Sequence, residues 1–552
     1  VFRAQIAWEA TDTLDVLFNI HGGDSEGGQR GLKSHGLIDT DPNIPLPDNL
    51  NNCSNIDIDN LNTLCVDLIG APTISDTDKV TSELSNDMDD ISAYGGSVRL
   101  DWQLTSGSTL TSITAFEGNY YDHWEDADGI AIPFVNFRQK SNTDQYTQEL
   151  RLTSADEGSF KWILGAYGLK EETRFQTSIP ILQADPEVAL TEANDVTQNT
   201  SMYSVFAQGD WKVNDRLTLN AGIRYVDEEK DGIASYILAF GLDAFDINDA
   251  DAFLFGPLNS CCDIFDTLID KAPFSKSWSM WGGKLGLEYA DTDDSLAYAN
   301  ISRGVKSGQF TDAPPSIGDG GFFRPAKPET VLSYEGGYKA TWNNNTIKTN
   351  FALFYNDYTD QQQQITYPDP ETLVLTSTII NAANAVTYGA EFEGQFIFGD
   401  GWFADLSVGM LETEVKEDSL GALTGGALSI EVGRELTNSP KTTINATLEK
   451  DWTLDSGDTL TAHLDARYTD ARNYNLIDTP ETRHIFTDPS YVLMNAFVTY
   501  RFGDGRNYKI SAYVKNLTDE TYNHLIQEFA IGNILLFASD PRTYGVTFGY
   551  EF

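Results

Sequence analysis

Nowhere in the 552 residues does an uninterrupted apolar run reach the length of about 18 that a membrane-spanning helix needs, so a helical span is excluded. Basic residues are scarce, with 36 Lys and Arg against 83 Asp and Glu, a formal charge of −47. Such a chain repels a phosphate backbone, which argues against nucleic acid as a partner. There are only six histidines, His21, His35, His123, His463, His484 and His524, and none sits in an HExxH or Cys-His spacing. A GxSxG elbow is also missing, so zinc-hydrolase and serine-triad chemistry lack their sequence signatures. The pattern calls for no cofactor and no metal. Four cysteines form two local pairs, Cys53 with Cys65 and Cys261 with Cys262. All four lie in loop-like sequence, which suits an oxidising compartment, with a Cys53–Cys65 disulfide expected and a strained vicinal bridge between Cys261 and Cys262 a weaker expectation.

What the chain does have is alternation. In its last stretch, Tyr544, Val546, Phe548, Tyr550 and Phe552 share one parity, while Thr543, Gly545, Thr547, Gly549 and Glu551 share the other. A strand sends alternate side chains to opposite faces, so one face is aromatic and apolar and the other small and polar. Leu217–Tyr225 and Val492–Phe502 repeat the pattern. A mean hydropathy of −0.32 fits a barrel wall, because only half of each strand meets lipid. With 41% hydrophobic and 12% aromatic residues, the acidic balance does not indicate disorder.

Short turns rich in Asp, Asn, Ser and Gly, such as Thr105–Ser108, Trp342–Asn345 and Asp455–Asp458, alternate with long polar segments. These segments are expected as loops over 22–90, 123–140, 176–198, 231–277, 305–328, 359–384, 416–436, 471–486 and 518–540. Short turns on one rim and long loops on the other are the asymmetry of outer-membrane barrels. The predicted fold is therefore all-β, one transmembrane antiparallel β-barrel over 1–552, with about 19 strands. By this count the first and last strands both descend, which predicts an odd number of further strands before Val1, about three for an even-numbered barrel. Val1–Trp8 already alternates and carries no secretory signal, so the chain as given is expected to be processed, truncated or incompletely represented.

Several stretches resemble TonB-dependent outer-membrane receptors. They include Thr143–Ser154 with Trp162–Tyr167, Leu219–Tyr225, Ser302–Gly308 with Lys327–Lys339, Phe354–Tyr358, Tyr388–Glu393, Asn438–Lys441, Val514–Asp519 and Arg542–Gly545. Each is weak alone, but their order spans nearly the whole chain. The resemblance implies a barrel of about 22 strands that imports scarce solutes, usually ferric siderophores, with energy from the TonB complex. It also implies an N-terminal plug, for which this chain has no counterpart. Outer-membrane lipid and lipopolysaccharide would surround such a barrel. A glycan or oligopeptide importer with a surface lipoprotein, a passive porin and an outer-membrane hydrolase are the alternatives.

Candidate ligand residues fall in two groups. Tyr120, Tyr121, His123 and Trp124 cluster where a strand leaves the membrane and could stack on a ligand; an interfacial aromatic girdle is the plain reading. Arg303 and Lys306 rise at a strand top and could hold an anionic chelate, the plain reading being ion pairs with Glu329 or Glu335. Asn55–Asp59 starts like a calcium loop but has Asn60 and Val66 where Gly and Glu are needed, so a solvated acidic loop is expected. Asp126–Gly129 and Asp246–Asp249 are read the same way, and Gln361–Gln364 as a strand extension or loop.

Overall fold

The computed structural model describes residues 1–27, 33–36, 38–39, 65–66, 88–129, 135–181, 190–240, 265–310, 325–368, 375–423, 429–478, 480, 482–529 and 533–551. Cys53, Cys261 and Cys262 lie outside these, as do Asn55–Asp59 and Asp246–Asp249, and of Cys65 only the backbone is described.

Nineteen strands form one sheet. In chain order they begin with β1 (Phe2–Thr11) and β2 (Leu14–Gly27). Three short loop strands follow, β3 (Lys33–Gly36), β4 (Ile38–Asp39) and β5 (Cys65–Val66). The wall resumes with β6 (Met88–Gln103), β7 (Thr109–Asp126), β8 (Asn136–Thr153), β9 (Phe160–Ile181), β10 (Leu190–Lys212), β11 (Leu217–Phe240) and β12 (Phe265–Thr292). It continues through β13 (Ser295–Lys306), β14 (Glu329–Trp342), β15 (Ile347–Pro368), β16 (Leu375–Phe398), β17 (Trp402–Asp418), β18 (Thr442–Thr453) and β19 (Thr459–Thr469). After two loop strands, β20 (Arg472–Asn473) and β21 (Thr487–Asp488), come β22 (Tyr491–Phe502) and β23 (Tyr508–Lys515). Loop strands β24 (Asn523–Phe529) and β25 (Asn533–Ala538) precede the last wall strand, β26 (Thr543–Tyr550). Every wall strand pairs antiparallel with the next wall strand in sequence. Because 19 is odd, β1 and β26 run in the same direction, and no pairing joins them among the described residues.

The register carries the alternation from strand to strand. Tyr544, Val546, Phe548 and Tyr550 face Val514, Ala512, Ile510 and Tyr508, and this apolar row continues around the sheet. Leu285 and Val546 are 62% and 72% exposed. Left in water, a side chain of this size forfeits about 1.5–3 kcal/mol, so the face is built for lipid. Aromatic rings gather at its two margins. Phe502, Tyr508 and Tyr550 pack beside the short turns, and Tyr334, Tyr355 and Tyr388 form a row nearer the long-loop end. The opposite parity, with Lys339, Asn350, Glu393 and Asp405 among its members, lines the lumen.

The turns follow from their residues. Asn343, Asn344 and Asn345 all take left-handed φ, of 50°, 53° and 67°, a conformation asparagine tolerates best among residues with a side chain. The Ser-Gly turns at 104–108 and 454–458 are the same device, with Gly107 and Gly457 at φ 80° and 85°.

One expectation needs correcting. Much of 123–140, 176–198, 231–277 and 359–384, read as loop, is strand that carries the sheet past the lipid band. Beyond lipid, neither face need be apolar, so the alternation that marks a strand fades while the backbone ladder continues. Gln361–Gln364 belong to such an extension. Gln362 is buried, and its Nε2 donates to the carbonyls of Ser307 and Lys327 at 2.9 and 2.8 Å.

Towards the long-loop rim, loops pack into small cores. Ala382 and Ala383 of β16 and Val415 of β17 form one with Leu420, Ile430 and Leu476, capped by the single-turn α1 (Leu420–Leu423). Ile485, Phe486, Ile526, Ile534 and Leu536 form another beneath the β24–β25–β3 sheet.

Candidate lumenal binding site

Five adjacent strands, β8 to β12, send a group of cations into the lumen. Arg151, Arg224 and Lys284, with Glu149, Tyr167, Met202 and Phe206, line an open cavity of about 590 Å³. Pairing places them side by side: Glu149 opposite Tyr167, Tyr167 opposite Ser204, Phe206 opposite Arg224 and Gly222 opposite Lys284. Gly165 makes room for this packing, since a Cβ there would lie 2.1 Å from the Phe206 ring.

The Arg224 Nε and Nη2 donate to Ser204 Oγ at 3.2 and 2.9 Å, and its guanidinium lies over the Tyr167 ring at 5.8 Å. Arg151 Nη1 is 3.3 Å from Glu149 Oε1. The cavity lining therefore carries three cations and one carboxylate, with Asp101 also within electrostatic reach of Arg151, in a chain whose formal charge is −47. Such a patch concentrates anionic oxygen ligands and holds them by charge-assisted hydrogen bonds.

Towards the long-loop end lies an aromatic shelf. The rings of Phe274 and Phe310 are 4.6 Å apart, and Trp278 lies 6.0 Å from Phe310. Lys230 Nζ lies over Trp278 at 5.8 Å, donates to the Gly308 carbonyl at 2.9 Å and meets Glu228 at 3.2 Å. The Ser307 hydroxyl donates to the same Glu228 carboxylate at 2.6 Å.

Strand parity divides both groups of sequence-selected residues. Tyr121 and His123 face the lumen, stacked at 5.6 Å, with His123 Nδ1 2.8 Å from Asp89 Oδ1 and Nε2 3.4 Å from Glu125. Tyr120 and Trp124 are on the outer face, where the Tyr120 hydroxyl donates to Asp122 at 3.3 Å and Arg138 lies over Trp124 at 5.1 Å. The four do not make one site. Arg303 and Lys306 separate in the same way. Lys306 shares the lumenal parity and faces Glu329, with no ion pair between them, while Glu335 accepts instead from Tyr298 at 2.7 Å. Arg303 is on the outer face, lying over Trp281 at 4.5 Å and donating to its carbonyl, so it is no part of a lumenal vestibule.

Arg151 and Arg224 lie inside stretches already noted in the sequence, Thr143–Ser154 and Leu219–Tyr225. Their signal was a cation on the polar parity of a strand. That they meet depends on the register of five strands. The Asp126–Gly129 loop is closed on itself, with Asp126 Oδ1 accepting from the amides of Asp128 and Gly129. No group of three or more potential metal ligands occurs among the described residues.

Residues 33–517 match the family described as TonB dependent receptor-like, beta-barrel. The chain belongs to that family. This TonB-dependent receptor barrel is thus a wall of the Gram-negative outer membrane. It is 23% identical over 328 residues to the pesticin receptor of Yersinia enterocolitica, which is 58% of this chain and 41% of that receptor. The alignment spans less than half the length of that relative. Among solved structures, the ferric yersiniabactin uptake receptor of Yersinia pestis superposes with a TM-score of 0.70 at 15% identity, covering 100% of this chain and 70% of that one. The siderophore receptor of Acinetobacter baumannii gives 0.66 at 13% identity, covering 99% and 73%. At these identities the likeness is one of fold. The family is one of receptors, which sets aside the hydrolase alternative.

Proposed function

We propose that this receptor takes up a ferric siderophore or a similar iron chelate across the outer membrane, with the TonB complex supplying the energy. The observation that carries the proposal is the Arg151, Arg224 and Lys284 patch, a basic surface inside the lumen of an acidic protein. Its structural relatives, receptors for ferric yersiniabactin and for a siderophore, support the same class of ligand. Capture would begin on the Phe274 and Phe310 rings, backed by the buried Trp278, with Tyr121, His123 and Lys306 on the same lumenal side. The chelate would then descend to the cations, where its ligand oxygens exchange water for guanidinium and ammonium donors. Release downward would require displacement of a plug through TonB, since no covalent chemistry is involved.

The test is growth and radio-iron uptake under iron limitation with a panel of ferric chelates, in strains with and without TonB. Uptake of one or more anionic chelates that vanishes without TonB is expected, reduced about tenfold or more in Arg151→Gln/Arg224→Gln by loss of two charge-assisted contacts. Uptake indifferent to TonB would establish a passive pore instead. Uptake of neutral glycans that ignores the double substitution would establish the glycan importer.

A further inference from the structure

The lipid-facing side of the same strands has a depression that the transport route does not use. It has a volume of about 1160 Å³ and an almost wholly apolar lining. Its floor is made of small residues, Ala207, Gly209, Ala221 and Gly283, which lie opposite one another or Ile223 along β10, β11 and β12. Its walls are large, with Phe160 and Trp211 near the short-turn end and Trp281 and Leu285 towards the long-loop end. A wall meeting only bulk lipid chains has no need of such a furrow, and the small floor makes a channel of acyl-chain width between ridges.

The furrow ends at a cation. Arg303, on the outer face, is stacked over Trp281 and bonded to its carbonyl. No carboxylate among the described residues forms an ion pair with it. Lys284 also borders the furrow, but through its backbone, since it pairs with Gly222 and Ser302 on the lumenal parity. Arg303 lies eight residues along β13 from the Ser295 turn, roughly 20 Å up a strand tilted about 40°, close to the upper edge of an apolar band about 25 Å tall. An unpaired guanidinium at that height faces the headgroups of the outer leaflet, whereas the cations at the short-turn end, Lys212 and Arg216, line a cavity on the lumenal side with Thr218 and Glu288.

We infer that the furrow is a binding site for the lipid A part of lipopolysaccharide, with an acyl chain lying on Ala207, Gly209, Ala221 and Gly283 and a phosphate on Arg303. Guanidinium matches phosphate through paired N–H donors, and the Trp281 ring holds it flat against the wall, which leaves its outward edge for the ligand. Phospholipid is disfavoured because in an outer membrane its headgroups lie in the inner leaflet, at the end where the cations Lys212 and Arg216 turn to the lumenal side.

The experiment is native mass spectrometry of the full-length gene product extracted from outer membranes. Retained lipid is counted after detergent exchange and after titration with bisphosphorylated lipid A, dephosphorylated lipid A and phosphatidylglycerol. Wild type should keep one lipid A. Arg303→Gln should lower affinity for the bisphosphorylated form about tenfold while leaving the dephosphorylated form unchanged, the size of one charge-assisted contact. Ala221→Trp, which fills the furrow from the lipid side, should remove both. Lys170→Gln, at another outer-face cation, should match wild type, and heat-modifiable gel migration verifies that each variant is folded. Retention unaffected by Arg303→Gln and Ala221→Trp would overturn the inference. So would equal binding of phosphatidylglycerol, or a second copy of the chain released from dimers by Ala221→Trp.

Discussion

Arg434 should be indispensable to the loop cap and irrelevant to the wall. Its side chain and that of Asp478 are 4% and 0% exposed, and the two are joined twice, Nη1 to Oδ1 at 2.5 Å and Nη2 to Oδ2 at 2.9 Å. Nη1 also donates to the Leu476 carbonyl at 3.0 Å, and Nη2 to Asn473 Oδ1 at 2.9 Å and to the Asn475 carbonyl. One guanidinium thus ties the segment around 430–436 to the segment around 473–478. Replacing it with methionine keeps most of the volume but leaves the fully buried carboxylate with only the peripheral Arg483 Nε at 3.3 Å and the Asn473 amide at 2.9 Å, at a cost of about 3 kcal/mol, the low end for a broken buried pair. Converted to an opening equilibrium, that is roughly two orders of magnitude. The assay is amide hydrogen exchange at Gly433 and Leu436, whose N–H groups donate to the Val415 carbonyl and Thr413 Oγ1 at 2.8 and 2.9 Å. Their protection should collapse in Arg434→Met while β12 and β16 amides keep theirs. Arg434→Met/Asp478→Leu should regain more than half the loss, because no charge is then left buried alone. Unchanged exchange in the single variant, or a double variant no better than the single, would refute the reasoning.

Three further outcomes are expected. Asp488 is fully buried, and burial outweighs its hydrogen bonds from Asn523 and the nearby Arg472, so its carboxyl titrates above the usual range. A group whose folded pKa is raised contributes stability below the unfolded value and loses it as pH rises through the folded one. Protection of β24 and β25 amides should therefore be greater at mildly acidic pH than at pH 7.5, and Asp488→Asn should flatten that dependence. Gly389→Ala should impair assembly by about 1–3 kcal/mol or more, because a Cβ there falls 2.0 Å from the Met410 carbonyl oxygen and 2.9 Å from the Phe354 ring; the yield of heat-modifiable barrel measures it. Lys450 lies over both Trp402 and Trp452, at 5.4 and 5.8 Å, so Lys450→Met should leave folding intact but lower the thermal midpoint of unfolding by about 1 °C or less, as loss of about 0.5–1 kcal/mol implies for a chain of 552 residues.

The wall was legible wherever it meets lipid, since one face must then be apolar and the other cannot be. Tyr544 to Tyr550 spell that requirement in single letters. The same rule also shows why Tyr120 and Tyr121, or Arg303 and Lys306, could not belong together: neighbours of opposite parity are separated by the thickness of the sheet. Above the lipid the rule lapses, and 190–198 or 231–236 read as loop although the backbone continues its ladder. The lumenal patch was illegible for another reason. Arg151 and Lys284 are 133 positions apart in the chain, and only the register of β8 through β12 places them on one cavity.

Strand length changes sharply around the wall. β12 runs for 28 residues and β11 for 24, whereas β23 and β26 have eight each. Among the described residues the tall side is a hydrogen-bonded lattice, with register shifts only between Ala234 and Ile237 where β11 meets β12. On the low side the height is made up by loop segments, with the small core beneath β24 and β25 and the buried Arg434–Asp478 tie. A mouth built this way has one stiff bank and one soft one. Cooperative openings are drawn from parts with the fewest shared bonds, so among the described residues breathing belongs to the soft bank. A solute entering would then be gripped by a jaw with one fixed side, its orientation set by the tall strands and its residence time by the loops opposite.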